Sequence, residues 1–465
     1  MKKNLQTITF PNLIPNFWQR NFKSKEIAQD IYENFLTPHL KKYLLAQNAH
    51  TELKNILHIN TAAGKGGAAK VAYEFLNGNF NSLGYNSRML VATNYTDDND
   101  TILTLKTQNM PLHKMLHRYS RKNGMLDFYN LESFNIPEIQ AFNDADVINL
   151  HNIHGAYFSI FMLPLLTSLK PTIWTLHDEQ AFTGHCSYSF ECGKWLDGCG
   201  NCPDLNYYPK IKKDTTKFLL DLKKKIYDAS EFTVVCPSEW LAGRVRRSVL
   251  GDKDVRVIYN CVKTDVFKLA DKNQARNELK LPPDKKILMF SASGGFKNPQ
   301  KGGKYLLDVY NMLKKRDDLL FLNIGGNSNN KNPNWLDIPY IKDESLMAKY
   351  YSAADLFIYP SLVESFGLVV AEALSCGTPV VAFNTSALPE IIEHGRTGYL
   401  AHYKDVDDFI NGINTFLNND ELRLSAGKEG RSKVLSNFTV EKTVNGYLNL
   451  YKEAINVRTN EVRKV

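Results

Sequence analysis

The segment from Ile358 to Pro379, IYPSLVESFGLVVAEALSCGTP, constrains this chain more than any other. An apolar, strand-like run ends at Tyr359–Pro360, a loop leads to Glu364, and a helical pattern starts about Phe366 and runs to Cys376. Ser365 is a residue type that caps a helix, Gly377 a type that ends one, and Pro379 opens the next strand. Strand, glycine-bearing loop and helix in that order form the repeating unit of a parallel sheet. The amides of Gly367 and Leu368 would stand at the helix N-terminus, where unpaired N–H groups and the helix dipole favour a diphosphate. Glu364 and Glu372 lie eight residues apart, a little over two helical turns, so both carboxylates can face one cleft. A carboxylate accepts two hydroxyl hydrogen bonds, which suits a sugar ring or a ribose. Two glutamates on an isolated helix would be a solvated face; the surrounding frame is what argues for a site.

The same frame recurs on both sides. From Lys54 a short strand, Asn55–Asn60, ends in the small-residue loop Thr61–Gly67 and a helical run, Ala68–Leu76. Strand-like runs follow at Ser87–Val91, Val147–Leu150, Thr172–Leu176 and Phe232–Val235. A second series holds Ile287–Ser291, Leu319–Ile324, Leu356–Tyr359 and Pro379–Phe383, with helical patterns between. This alternation predicts an α/β chain of two Rossmann-like domains facing a central cleft. The expected divisions are an N-terminal extension at 1–50, a first domain at 51–262, a second at 263–440, and a C-terminal helix at 441–465 that crosses back to the first domain. No apolar run approaches the roughly 18 residues of a membrane span; Tyr157–Thr167 is short and contains Pro164. No apolar signal core follows Lys2 and Lys3, so the expected compartment is the cytosol.

Four further constellations carry chemistry. SASGGFKNPQKGGK, Ser291 to Lys304, follows a strand directly and places Lys301 before Gly302, where a fixed cation could meet a diphosphate. Gly64–Gly67, GKGG, is a short glycine loop between a strand and a helix, without the spacing of a phosphate-binding P-loop. His177 and Asp178 stand at the end of a strand, the edge of a parallel sheet that faces ligands; His151, His154 and His185 are less specific. Cys186, Cys192, Cys199 and Cys202 lie within 17 residues and could hold one tetrahedral zinc, remain reduced thiols, or pair. Such a metal would brace the loop after His177. Charge is uneven as well. Residues 210–256 carry 12 basic and 7 acidic side chains, a surplus of 12 − 7 = 5 out of a net +8. That stretch could meet an anionic membrane surface, a nucleic acid, or only water.

At Glu364–Ala382, and again at Ala387–Ile392 and Gly395–Leu400, the sequence resembles the retaining family-four glycosyltransferases of GT-B fold. The likeness is strong from Val257 onward and weak before it. It implies transfer of a sugar, with retention of anomeric configuration, from a nucleotide diphosphate sugar to a saccharide or lipid-linked acceptor. Glu364 would contact the donor sugar, Glu372 the ribose, and the amides of Phe366, Gly367 and Leu368 the sugar and diphosphate. Lys301 would bind the diphosphate, Gly66 and Gly67 would close over it, and His177 would lie near acceptor and sugar. No cofactor is implied for catalysis. The family often has an arginine six residues before the lysine; here that residue is Gly295, and Lys297 or Lys304 would have to supply the second charge. The segment from Thr175 through TLHDEQAFTGHCSYSFECGKW resembles enzymes of colanic-acid-type pathways, which suggests cell-surface polysaccharide assembly, with the basic stretch at the inner membrane face. The rival readings are a basic nucleic-acid-binding protein, which no finger, helix-turn-helix or RNA-sheet motif supports, and an inactive scaffold on the same fold.

Overall fold

The computed structural model describes residues 52–105, 110–291, 298–326 and 332–462. The extension 1–50 and the positions Gly295 and Lys297 lie outside the described residues.

Two parallel sheets organise the chain. The first contains β1 (Asn55–Ala63), β2 (Asn86–Asn94), β3 (Ile102–Thr104), β4 (Val147–Leu150), β5 (Thr172–Thr175), β6 (Thr233–Cys236) and β7 (Val255–Val257), in the order β3-β2-β1-β4-β5-β6-β7. The second contains β8 (Lys286–Ser291), β9 (Leu319–Ile324), β10 (Trp335–Ile338), β11 (Leu356–Tyr359), β12 (Val380–Phe383) and β13 (Gly398–Ala401), in the order β10-β9-β8-β11-β12-β13. Each sheet thus runs outward one way for three strands, returns, and runs outward the other way. The reversal falls between β1 and β4 in the first sheet and between β8 and β11 in the second. Ligands of such sheets bind in the crevice beyond the strand ends at that reversal.

The central strands explain themselves. β4, β5, β9, β11 and β12 are buried on both faces, and all but β5, which begins and ends in threonine, are mainly apolar, as parallel strands covered by helices must be. Each such Val, Leu, Ile or Phe contributes about 1.5–3 kcal/mol by leaving water. One device occurs in both domains. Asp146, just before β4, accepts the amides of Lys54 and Asn55 at 2.8 and 2.7 Å, where β1 begins. Asp355, just before β11, accepts the Ile287 amide of β8 at 2.7 Å, and also Arg276 at 2.7 Å and Lys272 at 2.9 Å. Both aspartates pin the two strands that flank the reversal.

Five helices matter to the site. They are α1 (residues 67–82, its middle turn π-helical), α2 (Glu239–Val245), α3 (Glu344–Ala353), α4 (Leu368–Ser375) and α5 (Val440–Val462). α4 starts two residues later than its sequence pattern suggests, and Ser365 does not cap it: Gly367 does, with φ of 108°. α5 returns to the first domain, packing Val444, Tyr447, Leu448 and Tyr451 against Ile56, Phe75, Val147 and Ile173. Its Tyr451 hydroxyl accepts Asn149 at 2.6 Å, and its Tyr447 hydroxyl lies 3.1 Å from Thr175. Among the described residues no helix is long and apolar enough to cross a membrane.

Candidate active site between two sheet reversals

The loops that leave β8 and β11 meet where the second sheet reverses. Lys301, after β8, places its ammonium 2.6 Å from Oε1 of Glu364, after β11. The Tyr359 and Ser361 hydroxyls donate to the same oxygen at 2.7 and 2.8 Å. Oε2 receives none of these three donors, and Glu364 is buried. A carboxylate so held keeps one oxygen fixed by the protein and the other available to a ligand. Gly302 makes this possible. Its φ is 73°, and a Cβ there would lie 1.7 Å from the Pro360 carbonyl oxygen, so only glycine lets the lysine loop press onto the end of β11.

Glu372, one face of α4, is buried and meets a cation from the other domain. Lys70 of α1 bridges Glu372 and Glu344 of α3, at 2.7 Å to each, and the Tyr351 hydroxyl stands 3.3 Å from Glu372 Oε2. Burial alone would lower the Lys70 ammonium; Glu372 and Glu344 outweigh it and hold its pKa above the ordinary value. Lys263 extends the network to Glu74 and Glu344 at 2.7 and 2.9 Å. The residue type at 70 gave no sign of this in the sequence; its position, on the first turn after the GKGG loop, is the only available signal.

The segment between β11 and α4 is clamped to the first domain. The Ser365 hydroxyl donates to the His177 carbonyl at 2.6 Å, and the Ser238 hydroxyl donates to the Ser365 carbonyl at 2.7 Å. Glu390 accepts the amides of Glu239 and Trp240, at the start of α2, at 2.9 and 2.8 Å. Gly67 faces Leu368 across the cleft, 3.9 Å from Cδ1 to the point where a Cβ would be. Glycine loop, His177 and the start of α4 therefore converge. Phe366 turns inward onto Tyr259 and Phe438, so only its backbone can face the cleft.

At the reversal of the first sheet stand the histidines. His154 Nε2 is 2.9 Å from Asp178 Oδ2. Burial disfavours the charged forms of both, yet each overcomes it through the other: His154 is raised and Asp178 lowered. Asp127, φ 62°, accepts the amides of Gly155 and Ala156 at 3.1 and 3.2 Å and shapes the same loop. His177 lies beside them, and burial holds it down to about 4.

Other expected groups fall elsewhere. Lys304 is exposed beside the Tyr305 ring and does not join the site. His185 and the four cysteines line a separate small pocket, with His185 Nε2 3.5 Å from Cys202 Sγ. All four thiols are free. Among the described residues no group of three or more His, Cys, Asp or Glu side chains is placed to hold a metal ion. The basic stretch is less of a surface than its composition suggests. Lys223 is buried and donates to the Thr183 carbonyl at 3.0 Å, while Lys217, Lys224, Arg246 and Arg256 pair with Asp221, Asp228, Glu239 and Asp254.

Two Rossmann-like domains closing on a shared cleft define the GT-B architecture. Two solved structures share it. Sucrose-phosphate synthase from Thermosynechococcus elongatus superposes with a TM-score of 0.63 at 20% identity, over 87% of this chain and 100% of that one. The Anabaena protein Alr3699/HepE, in complex with UDP and glucose, does so with a TM-score of 0.57 at 16% identity, over 86% of this chain and 100% of that one. Residues 271–433 match the family described as glycosyl transferases group 1. The chain is 26% identical over 230 residues to N-acetyl-alpha-D-glucosaminyl L-malate synthase of Bacillus anthracis, covering 48% of this chain and 60% of that protein. It is 25% identical over 361 residues to the putative colanic acid biosynthesis glycosyl transferase WcaC of Escherichia coli K12, covering 73% of this chain and 85% of that protein. The family match falls within the second domain of this chain.

Proposed function

We propose that this protein transfers a sugar, with retention at the anomeric carbon, from a nucleotide diphosphate sugar to a saccharide or lipid-linked saccharide in the assembly of a surface polysaccharide. The observation that carries the reading is the Lys301–Glu364 pair at the reversal of the second sheet, 2.6 Å apart, with Glu364 in the loop that leads into α4. In this reading the diphosphate lies between Lys301 and the Gly367–Leu368 amides. Lys301 and the helix dipole then stabilise the charge that the departing nucleoside diphosphate gains. Glu364 Oε2 takes sugar hydroxyls and Glu372 takes the ribose. Lys70 would be the cation that a ribose displaces from Glu372, or shares with it, and so couples donor binding to the first domain. The acceptor lies toward His177, His154 and Asp178. Support comes also from the HepE structure, which holds UDP and glucose, and from the naming of the Escherichia coli relative. The cysteine loop is read as a brace behind His177, with or without an ion, and the exposed lysines of 210–256 as a face for anionic lipid.

The test is a donor screen. The protein is incubated with uridine, guanosine and adenosine diphosphate sugars, with and without membrane lipid extract, and release of nucleoside diphosphate is followed. Release from one donor that Glu364→Ala abolishes is expected. No release and no binding of any donor would overturn the proposal in favour of a scaffold.

A further inference from the structure

Three histidines form a hydrogen-bonded file through the first domain. His58 lies on β1, His151 just past β4 and His177 just past β5, and these strands are neighbours in register. His58 Nδ1 is 3.1 Å from His151 Nε2, and His151 Nδ1 is 3.0 Å from His177 Nε2. The inner end is sealed. His58 is fully buried, stacked on Phe80, and its Nε2 has no hydrogen-bond partner among the described residues. The outer end is open: His177 is partly exposed, and among the described residues its ring is tied to the protein only through Nε2. Asp178 and His154 flank His177 in its own domain, and Ser365 and Tyr188 stand where the second domain meets it.

A neutral imidazole has one N–H and one bare nitrogen. Burial lowers His58 to about 3, His177 to about 4 and His151 well below its ordinary value, so all three rings are neutral near pH 7. Both ring-to-ring hydrogen bonds can then form in two ways only: every proton on Nδ1, or every proton on Nε2. The second way drives an N–H of His58 into a wall with no acceptor. The first leaves a bare nitrogen there and sends the N–H out of the file at His177. Buried donors without a partner are the rarer of the two.

We infer that His58 and His151 are positioning residues that fix His177 with its proton on Nδ1, so that it offers an N–H donor, and not a base, to a ligand oxygen in the cleft. The tautomer follows from the file alone; its use in sugar transfer rests on the function proposed above. A hydroxyl attacking the sugar would then pass its proton to the oxygen of the departing diphosphate, and His177 would hold an oxygen in place.

The experiment is long-range proton–nitrogen correlation on the full chain labelled with [15N]histidine, assigned with His58→Gln, His151→Gln and His177→Gln. The expected spectrum shows His177 neutral from pH 5 to 8, Nδ1 protonated and Nε2 bare. A proton on Nε2, or a ring that becomes charged in that range, overturns the inference. The kinetic arm compares His58→Leu with His58→Gln, whose amide can still donate to His151. Loss of the file's inner donor should lower kcat about tenfold, with KM for the donor nearly unchanged, and glutamine should restore most of it. A His58→Leu protein with wild-type kcat would overturn the positioning role. If no donor is turned over by any variant, the failure belongs to the proposed function, and the spectrum still decides the tautomer.

Discussion

The two domains put their polar groups at the same point of the same topology and equip it differently. In the second domain two loops suffice: Lys301 and Glu364 come from the strands that flank the reversal, and α4 adds Glu372 ten residues or fewer along the chain. In the first domain the equivalent point draws His58, Asp127, His151, His154, His177 and Asp178 from β1, from the segment before β4, and from the loops after β4 and β5. The second domain stabilises charge with charge. The first keeps a file of neutral rings beside one ion pair. A site that must hold an anion needs fixed cations and amides, which a short linear motif can supply. Directed hydrogen bonds such as those of the first domain are gathered from distant segments.

The largest expected effect is at Glu364. Glu364→Ala leaves Lys301, Tyr359 and Ser361 without their shared acceptor, and turnover of the donor should fall on the order of a thousandfold. His177→Gln should cost less, about tenfold, because it removes one oriented hydrogen bond. Equal losses would mean that the two domains are not equipped as differently as described.

The paired aspartates give the next comparison. Asp355→Ala strands the buried Arg276 as well as the Ile287 amide and should cost about 4 kcal/mol, read from urea unfolding. Asp146→Ala removes two backbone acceptor bonds and should cost about 2 kcal/mol. The reverse order would show that the pin of the first domain is the more important.

Acid should separate the domains further. His58 and His177 are lowered by burial, so the folded chain keeps them neutral while the unfolded chain binds protons below its ordinary pKa of 6.5. Their contribution is complete above pH 6.5 and is lost as pH falls toward 4 and 3. His154 is raised by Asp178 against burial, so its contribution is complete below pH 6.5 and fades as pH rises through its folded value. Tm measured against pH should therefore decline more gently below pH 6.5 in His58→Leu than in wild type. An unchanged slope would mean that His58 is not held neutral. The smallest effect belongs to Lys304→Ala, expected within about 0.5 kcal/mol of wild type in stability because the side chain is exposed and outside the site.

Legibility in the sequence follows the same division. Each strand buried on both faces stood out as an apolar run: Val147–Leu150, Leu319–Ile324 and Leu356–Tyr359 have in the structure the bounds that the pattern suggests. The four strands that the pattern missed, β3, β7, β10 and β13, are the edges of the two sheets. They are short and half exposed, and their polar positions hide them. The site divides likewise. Glu364, Glu372 and Lys301 were readable because they sit in local frames. Lys70 and Glu344 were not, since an ion pair between residues 70 and 372 exists only once the domains meet. The cysteines could be seen to lie together, but spacing could not say whether they would be drawn around an ion.

The central claim is that the nucleotide binds the second domain and the first domain supplies orientation. Calorimetric titration with the nucleoside diphosphate released in the donor screen tests it directly, using wild type, Lys301→Ala and His177→Gln. Binding should weaken about tenfold or more in Lys301→Ala and stay within about twofold of wild type in His177→Gln, which nonetheless turns over slowly. Binding lost in His177→Gln and kept in Lys301→Ala would place the nucleotide on the other domain and contradict the account.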